Sequence, residues 1–166
     1  MPTHDELLIE AYQGEVLGEA LFAALAERCG GGNADADRRA KLDVLTRLER
    51  ATKDAMRPAL ERRGIDTAPD AGVLETAARF ADTAAAMQWR DLLASFEPTT
   101  KKYVEVYEGL GAAGEDAQLV DLLLRHERAL AEFARRELGG DAATSMQPIL
   151  DLPHVAASPP TPTPTR

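Results

Sequence analysis

The stretch Ala11-Tyr12-Gln13-Gly14-Glu15-Val16-Leu17-Gly18-Glu19-Ala20-Leu21-Phe22 decides the fold class. Apolar residues return at three- and four-residue spacing, from Leu7, Leu8, Ala11 and Tyr12 through Leu21, Phe22 and Leu25. That period belongs to an amphipathic helix. Two carboxylates one turn apart, Glu15 and Glu19, stand beside the apolar stripe. A carboxylate turned inward is costly unless it is paired, hydrogen-bonded or bound to a metal. The same few residues therefore state a fold and raise a question about function.

Working outward, the helical period recurs along the chain. The first helix is expected over about 5–29, capped by Thr3 or Asp5 with acidic residues in its first turn. A second spans about 36–63, with Leu42, Leu45, Leu48, Met56 and Leu60 on one face and Pro58 bending its last turns. A third helical region starts near Val73 and carries Phe80, Ala84, Met87, Trp89, Leu93, Phe96, Tyr103, Tyr107 and Leu110, of which Trp89, Phe96, Tyr103 and Tyr107 are read as core. Pro98 interrupts it, so a break or strong kink is expected there. A fourth helix covers about 115–138, with Leu119, Leu122, Leu123, Leu130 and Phe133 inward. Glycines mark the joints at 30–32, 64–72, 109–114 and 139–140. Thirty of the 166 residues are alanine, and no long alternating β-type run occurs, so the class is all-α.

Residues 148–166 hold six of the ten prolines. The expected division is a helical domain over 1–147 and an extended Pro/Thr-rich tail over 148–166, with Ile149, Leu150, Leu152 and Val155 able to dock on the helices. The net charge of −9 argues against a nucleic-acid surface. No apolar run is long enough for a membrane span. The opening Met1-Pro2-Thr3-His4-Asp5-Glu6 is too acidic for a targeting peptide, which places the expectation in the cytoplasm. A single cysteine, Cys29, excludes an internal disulfide and a cysteine-based zinc or iron–sulfur site. No phosphate-binding glycine loop or nucleophilic triad is present.

Chemistry is carried by the inward carboxylates. Two residues of a helical hairpin lie at one height when they are equidistant from the loop. Glu15 and Glu49 have their midpoint at residue 32, inside the 30–33 turn, and Glu97 and Glu127 have theirs at 112, inside the 111–114 turn. Four carboxylates, one per helix, are thus expected at one level, the way a helical bundle holds a pair of iron or manganese ions. His126 shares its face with Leu119, Leu123, Leu130 and Phe133.

On these residues the chain resembles the ferritin-like superfamily, rubrerythrin-type members in particular. Ala11-Tyr12-Gln13-Gly14-Glu15 looks like the first-helix segment in which the Glu after Gly is a metal ligand. Leu48-Glu49-Arg50-Ala51-Thr52 and Arg125-His126-Glu127-Arg128-Ala129-Leu130 occupy the places of the two Glu-x-x-His motifs. The resemblance covers residues 4–139 and implies a ferritin-like four-helix bundle with short hairpin loops. It implies metal ligation at Glu15, Glu49, Glu97 and Glu127, with Gln88 competing for the third-helix position. Thr52 and Leu130 stand where both histidines belong, His126 is one residue out of register, and His4 and His154 are the remaining imidazoles.

Three functional readings follow. The first is a bundle with a degraded di-metal site and no bound cofactor, acting as a non-catalytic binding or structural module. Its carboxylates would be held by Arg, Tyr or water. The second is an oxidoreductase with two iron or manganese ions at Glu15, Glu49, Glu97, Glu127 and His126, and converging carboxylates free of Arg caps are its geometric signature. The third is a homodimer, or a complex with an unidentified protein partner, formed through the apolar face of the first helix.

Overall fold

The computed structural model describes residues 2–112, 114 and 116–159, and these are all-helical, without strands. Helix α1 covers His4–Arg28 and α2 covers Asn33–Arg62. Thr3 opens α1 with a capping box: its hydroxyl accepts from the Glu6 N–H while the Glu6 carboxylate accepts from the Thr3 N–H. The two helices form a long hairpin, and Pro58 is carried inside α2.

The third helical region divides into α3 (Ala71–Ala85), α4 (Trp89–Ala94) and α5 (Phe96–Ala112). The breaks fall at 86–88 and at Ser95, upstream of the expected one. Pro98 sits in the first turn of α5, where a missing N–H has no helical acceptor to leave empty. Helix α3 lies along α1 and buries Ala77, Ala81 and Ala84. Phe80 and Met87, on the apolar positions of this region, are 51% and 37% exposed. Helix α6 (Ala117–Gly139) pairs with α5.

The expected tail is shorter than its proline content implies. Residues 147–156 form two single-turn helices, α7 (Gln147–Leu150) and α8 (Pro153–Ala156), each admitting its proline in the first turn. Ile149, Leu152 and Val155 are buried, and the segment packs on α6 and α2. Three inward apolar side chains outweigh the prolines up to that point. The Pro/Thr repeat of 160–166 lies outside the described residues.

Apolar packing falls into two clusters. One gathers Phe22, Leu25, Leu45, Leu48, Leu130 and Phe133; the other gathers Leu8, Tyr12, Met56, Leu60, Tyr107 and Leu123. Between them, on α1, α2 and α6, runs a polar layer of Glu15, Glu49, Thr52, His126 and Glu127, all buried. A second buried polar knot closes the far end of the larger cluster. Lys41 on α2 pairs with Glu137 on α6 at 2.8 Å, and Glu137 also accepts from Trp89 Nε1 at 3.0 Å and from the Ser145 hydroxyl. Removing one partner of such a pair strands the other charge. Lys41→Met is expected to cost about 3 kcal/mol, read as a lowered urea midpoint at unchanged m-value.

No helix among the described residues is long and apolar enough to cross a membrane.

Candidate metal centre

Glu15 stands on α1, Glu49 and Thr52 on α2, and His126 and Glu127 on α6. The hairpin levels read from the sequence bring Glu15, Glu49 and Glu127 together. Glu15, His126 and Glu127 each offer a ligand atom, and these atoms all lie within 4.8 Å of one another. His126 Nδ1 lies 3.6 Å from Glu15 Oε2, and its Nε2 lies 3.6 Å from Glu49 Oε1. Among the described residues no Arg or Lys pairs with these three carboxylates. Glu15 Oε1 accepts from the Tyr107 hydroxyl at 2.9 Å. Glu15 Oε2 and Glu127 Oε2 are buried with no hydrogen-bond partner. Such orphaned acceptors are rare because burial removes water without replacing it.

Glu97 does not join. It is exposed in the first turn of α5. Its height matches Glu127, but height does not set the face: Phe96 and Thr100, one turn apart, point inward and turn Glu97 to solvent. Tyr103 and Tyr107 occupy the α5 side of the site instead. Gln88, the competing residue, is exposed ahead of α4. His4 lies at the start of α1, with Nε2 3.6 Å from Asp116.

Thr52 has the place of a histidine ligand and does other work. Its hydroxyl lies 3.0 Å from the Leu48 carbonyl, 2.8 Å from His126 Nδ1 and 3.1 Å from His154 Nε2. A carbonyl only accepts, and the hydroxyl has one proton. Given to Leu48, that proton leaves Oγ1 accepting from both imidazoles. His126 is then the Nδ1–H tautomer, with its Nε2 lone pair on the Glu49 side. His154, on α8, thus reaches the polar layer through Thr52 rather than replacing a lost ligand.

Two glycines make room. A Cβ at Gly18 would lie 2.5 Å from Glu49 Oε2 and 2.6 Å from its Cδ, and one at Gly14 would lie 2.7 Å from the Tyr103 ring. Glycines at 14 and 18, four residues apart and flanking Glu15, are the sequence sign of this close approach, one that the apolar period does not single out. Gly18→Ala gains about 1 kcal/mol of helix propensity but overpacks a buried carboxylate, at about 1–3 kcal/mol. The expected net result is a lower urea midpoint and a displaced Glu49.

Burial dominates the electrostatics. It lifts the Glu15 carboxyl to about 7, although the neighbouring Glu49 carboxyl and the Tyr107 hydroxyl pull the other way. Burial and then the nearby Glu15 charge hold Glu49 well above the carboxylate range and lift Glu127 to about 9. Burial, with His154 second, depresses His126 to about 3. The imidazole is therefore neutral and able to ligate, while the carboxyls retain protons that a cation would displace.

These groups form the floor of a cavity of about 620 Å³ between α1, α3 and α5. Compared with known proteins, the chain matches no family model, no curated sequence and no solved structure.

Proposed function

We propose that this chain is a ferritin-like helical protein that binds one divalent transition-metal ion through Glu15, Glu49, His126 and Glu127. The observation that carries the reading is the pair of orphaned carboxylate oxygens, Glu15 Oε2 and Glu127 Oε2, buried beside a neutral imidazole. A cation would satisfy both at once. Carboxylate and imidazole donors together suit iron, manganese, cobalt or zinc rather than a soft-metal site.

A pair of ions fits the residues less well. The resemblance implies four carboxylates and two histidines, whereas Glu97 is exposed and Thr52 and Leu130 cannot take the histidine roles. Three carboxylates and one imidazole make a set for one ion. No redox step is assigned to it, and the role is binding. The ligands come from α1, α2 and α6, so the ion would tie the first hairpin to α6 as a cross-brace.

The test is a Co(II) titration of chelator-treated protein, followed by its visible spectrum and by thermal unfolding. The expected result is saturation at one equivalent, with visible bands and a raised Tm. A featureless spectrum and an unchanged Tm would overturn the reading.

A further inference from the structure

The floor of the cavity is polar and its walls are mostly apolar. Glu15, Glu49, His126, Glu127, Tyr103 and Tyr107 converge at one end. Leu17, Leu21, Phe22, Leu92, Phe96 and Leu130 line most of the rest, with threonines of α3 and α5 and Lys102 towards the opening. A volume of about 620 Å³ lies within the range of sites that enclose drug-sized organic molecules. It far exceeds what a water molecule needs, since one probe sphere requires only about 10–15 Å³.

Phe80 and Met87 also line this space, and both are exposed. The apolar lining thus continues to the surface at α3, where a solvated bundle would place polar side chains. Buried alanines, Ala77, Ala81 and Ala84, hold α3 against α1, so nothing in the α3–α1 packing requires a phenylalanine at position 80. At the inner end, Glu15 Oε2 and Glu127 Oε2 accept from nothing. One end calls for a hydrogen-bond donor or a metal-ligating group, and the other for an apolar body.

We infer that this cavity binds a small amphipathic organic molecule, its polar head on Glu15 and Glu127 and its apolar body running between Phe22, Leu92 and Phe80. The head-group end rests on the proposed metal site; the apolar end rests on the walls alone. Without the metal, the head meets the unpartnered oxygens Glu15 Oε2 and Glu127 Oε2; with it, the head meets the ion. A head that both donates hydrogen bonds and ligates metals suits either state.

Octanohydroxamate has such a head, and acetohydroxamate shares the head without the body. Both are titrated calorimetrically into chelator-treated and Co(II)-treated protein. Each buried methylene is worth about 0.8 kcal/mol, or about fourfold in affinity. The longer probe is expected to bind at least about a hundredfold tighter in both states. Thr83→Trp places a large ring on the cavity wall from an exposed position of α3. It is expected to weaken octanohydroxamate at least tenfold and to leave acetohydroxamate unchanged. Equal affinities for the two probes in wild-type protein would overturn the inference, whatever the variant does. Chain-length dependence without visible cobalt bands would retain the cavity assignment and defeat the metal reading. Bands without chain-length dependence would do the reverse.

Discussion

Chelator-treated protein is expected to lose at least about 4 kcal/mol of stability between pH 5 and pH 8. The sign follows from the raised carboxyls. Glu127 keeps its proton in the folded state up to about 9, but releases it near the ordinary value of 4.5 when unfolded. Across the interval the unfolded chain binds fewer protons, so stability falls as pH rises. Three pH units at about 1.36 kcal/mol each give the figure for Glu127 alone. Glu49 acts in the same direction, and Glu15 does so up to about 7. His126, depressed to about 3, opposes them only below its ordinary value of 6.5, where the unfolded chain takes up a proton that the folded one refuses. Urea denaturation at four pH values checks this, with constant m-values licensing the comparison. A metal ion reverses the slope, because its binding releases those protons and tightens as pH rises. A flat or rising profile in metal-free protein would mean that the buried carboxyls are already ionised.

Glu127→Gln is expected to move two properties in opposite directions. Glutamine has the shape of a protonated glutamate and no charge to bury. At pH 8 the metal-free variant should be more stable than wild type by about 2–4 kcal/mol, with much of the pH slope removed. Its metal affinity should fall about a hundredfold or more, at or beyond the top of the range for losing a supporting contact. A residue kept for structure would behave differently: its replacement would destabilise at every pH and leave no separate binding defect. The opposition is a trade of stability for function at a single side chain. It needs two instruments, a denaturation series and a competition titration against a chelator of known affinity.

How much of this was legible in the sequence depends on which coordinate is asked for. Distance along a hairpin gives height, and height brought Glu15, Glu49 and Glu127 to one level. It says nothing of rotation about the helix axis, and there Glu97 failed. The α5 face is set by Phe96, Thr100, Tyr103 and Tyr107, and Glu97 lies off it. His126 was placed one residue out of register, yet both it and Glu127 are buried, because α6 is packed against α2, α4, α5 and α7 and so presents a wide inner arc. Local rules pulled two ways near 148. Prolines counted over a window argued for an extended tail, but Pro148 and Pro153 fall in first turns, and three apolar residues dock the segment. That docking delivers His154 to Thr52 across 102 residues, a contact no local pattern encodes. Phe80 and Met87 matched the helical apolar period, and only the packing of α3 on α1 reveals that they border a cavity.

The most direct measurement is an anomalous difference map from crystals grown with Mn(II) or Fe(II), collected at the metal edge. One peak among Glu15, Glu49, His126 and Glu127, absent from crystals of Glu127→Gln, is the result expected. Two peaks a few ångströms apart would contradict the single-ion assignment. No peak in the polar layer, at full metal saturation of the medium, would contradict the metal site itself.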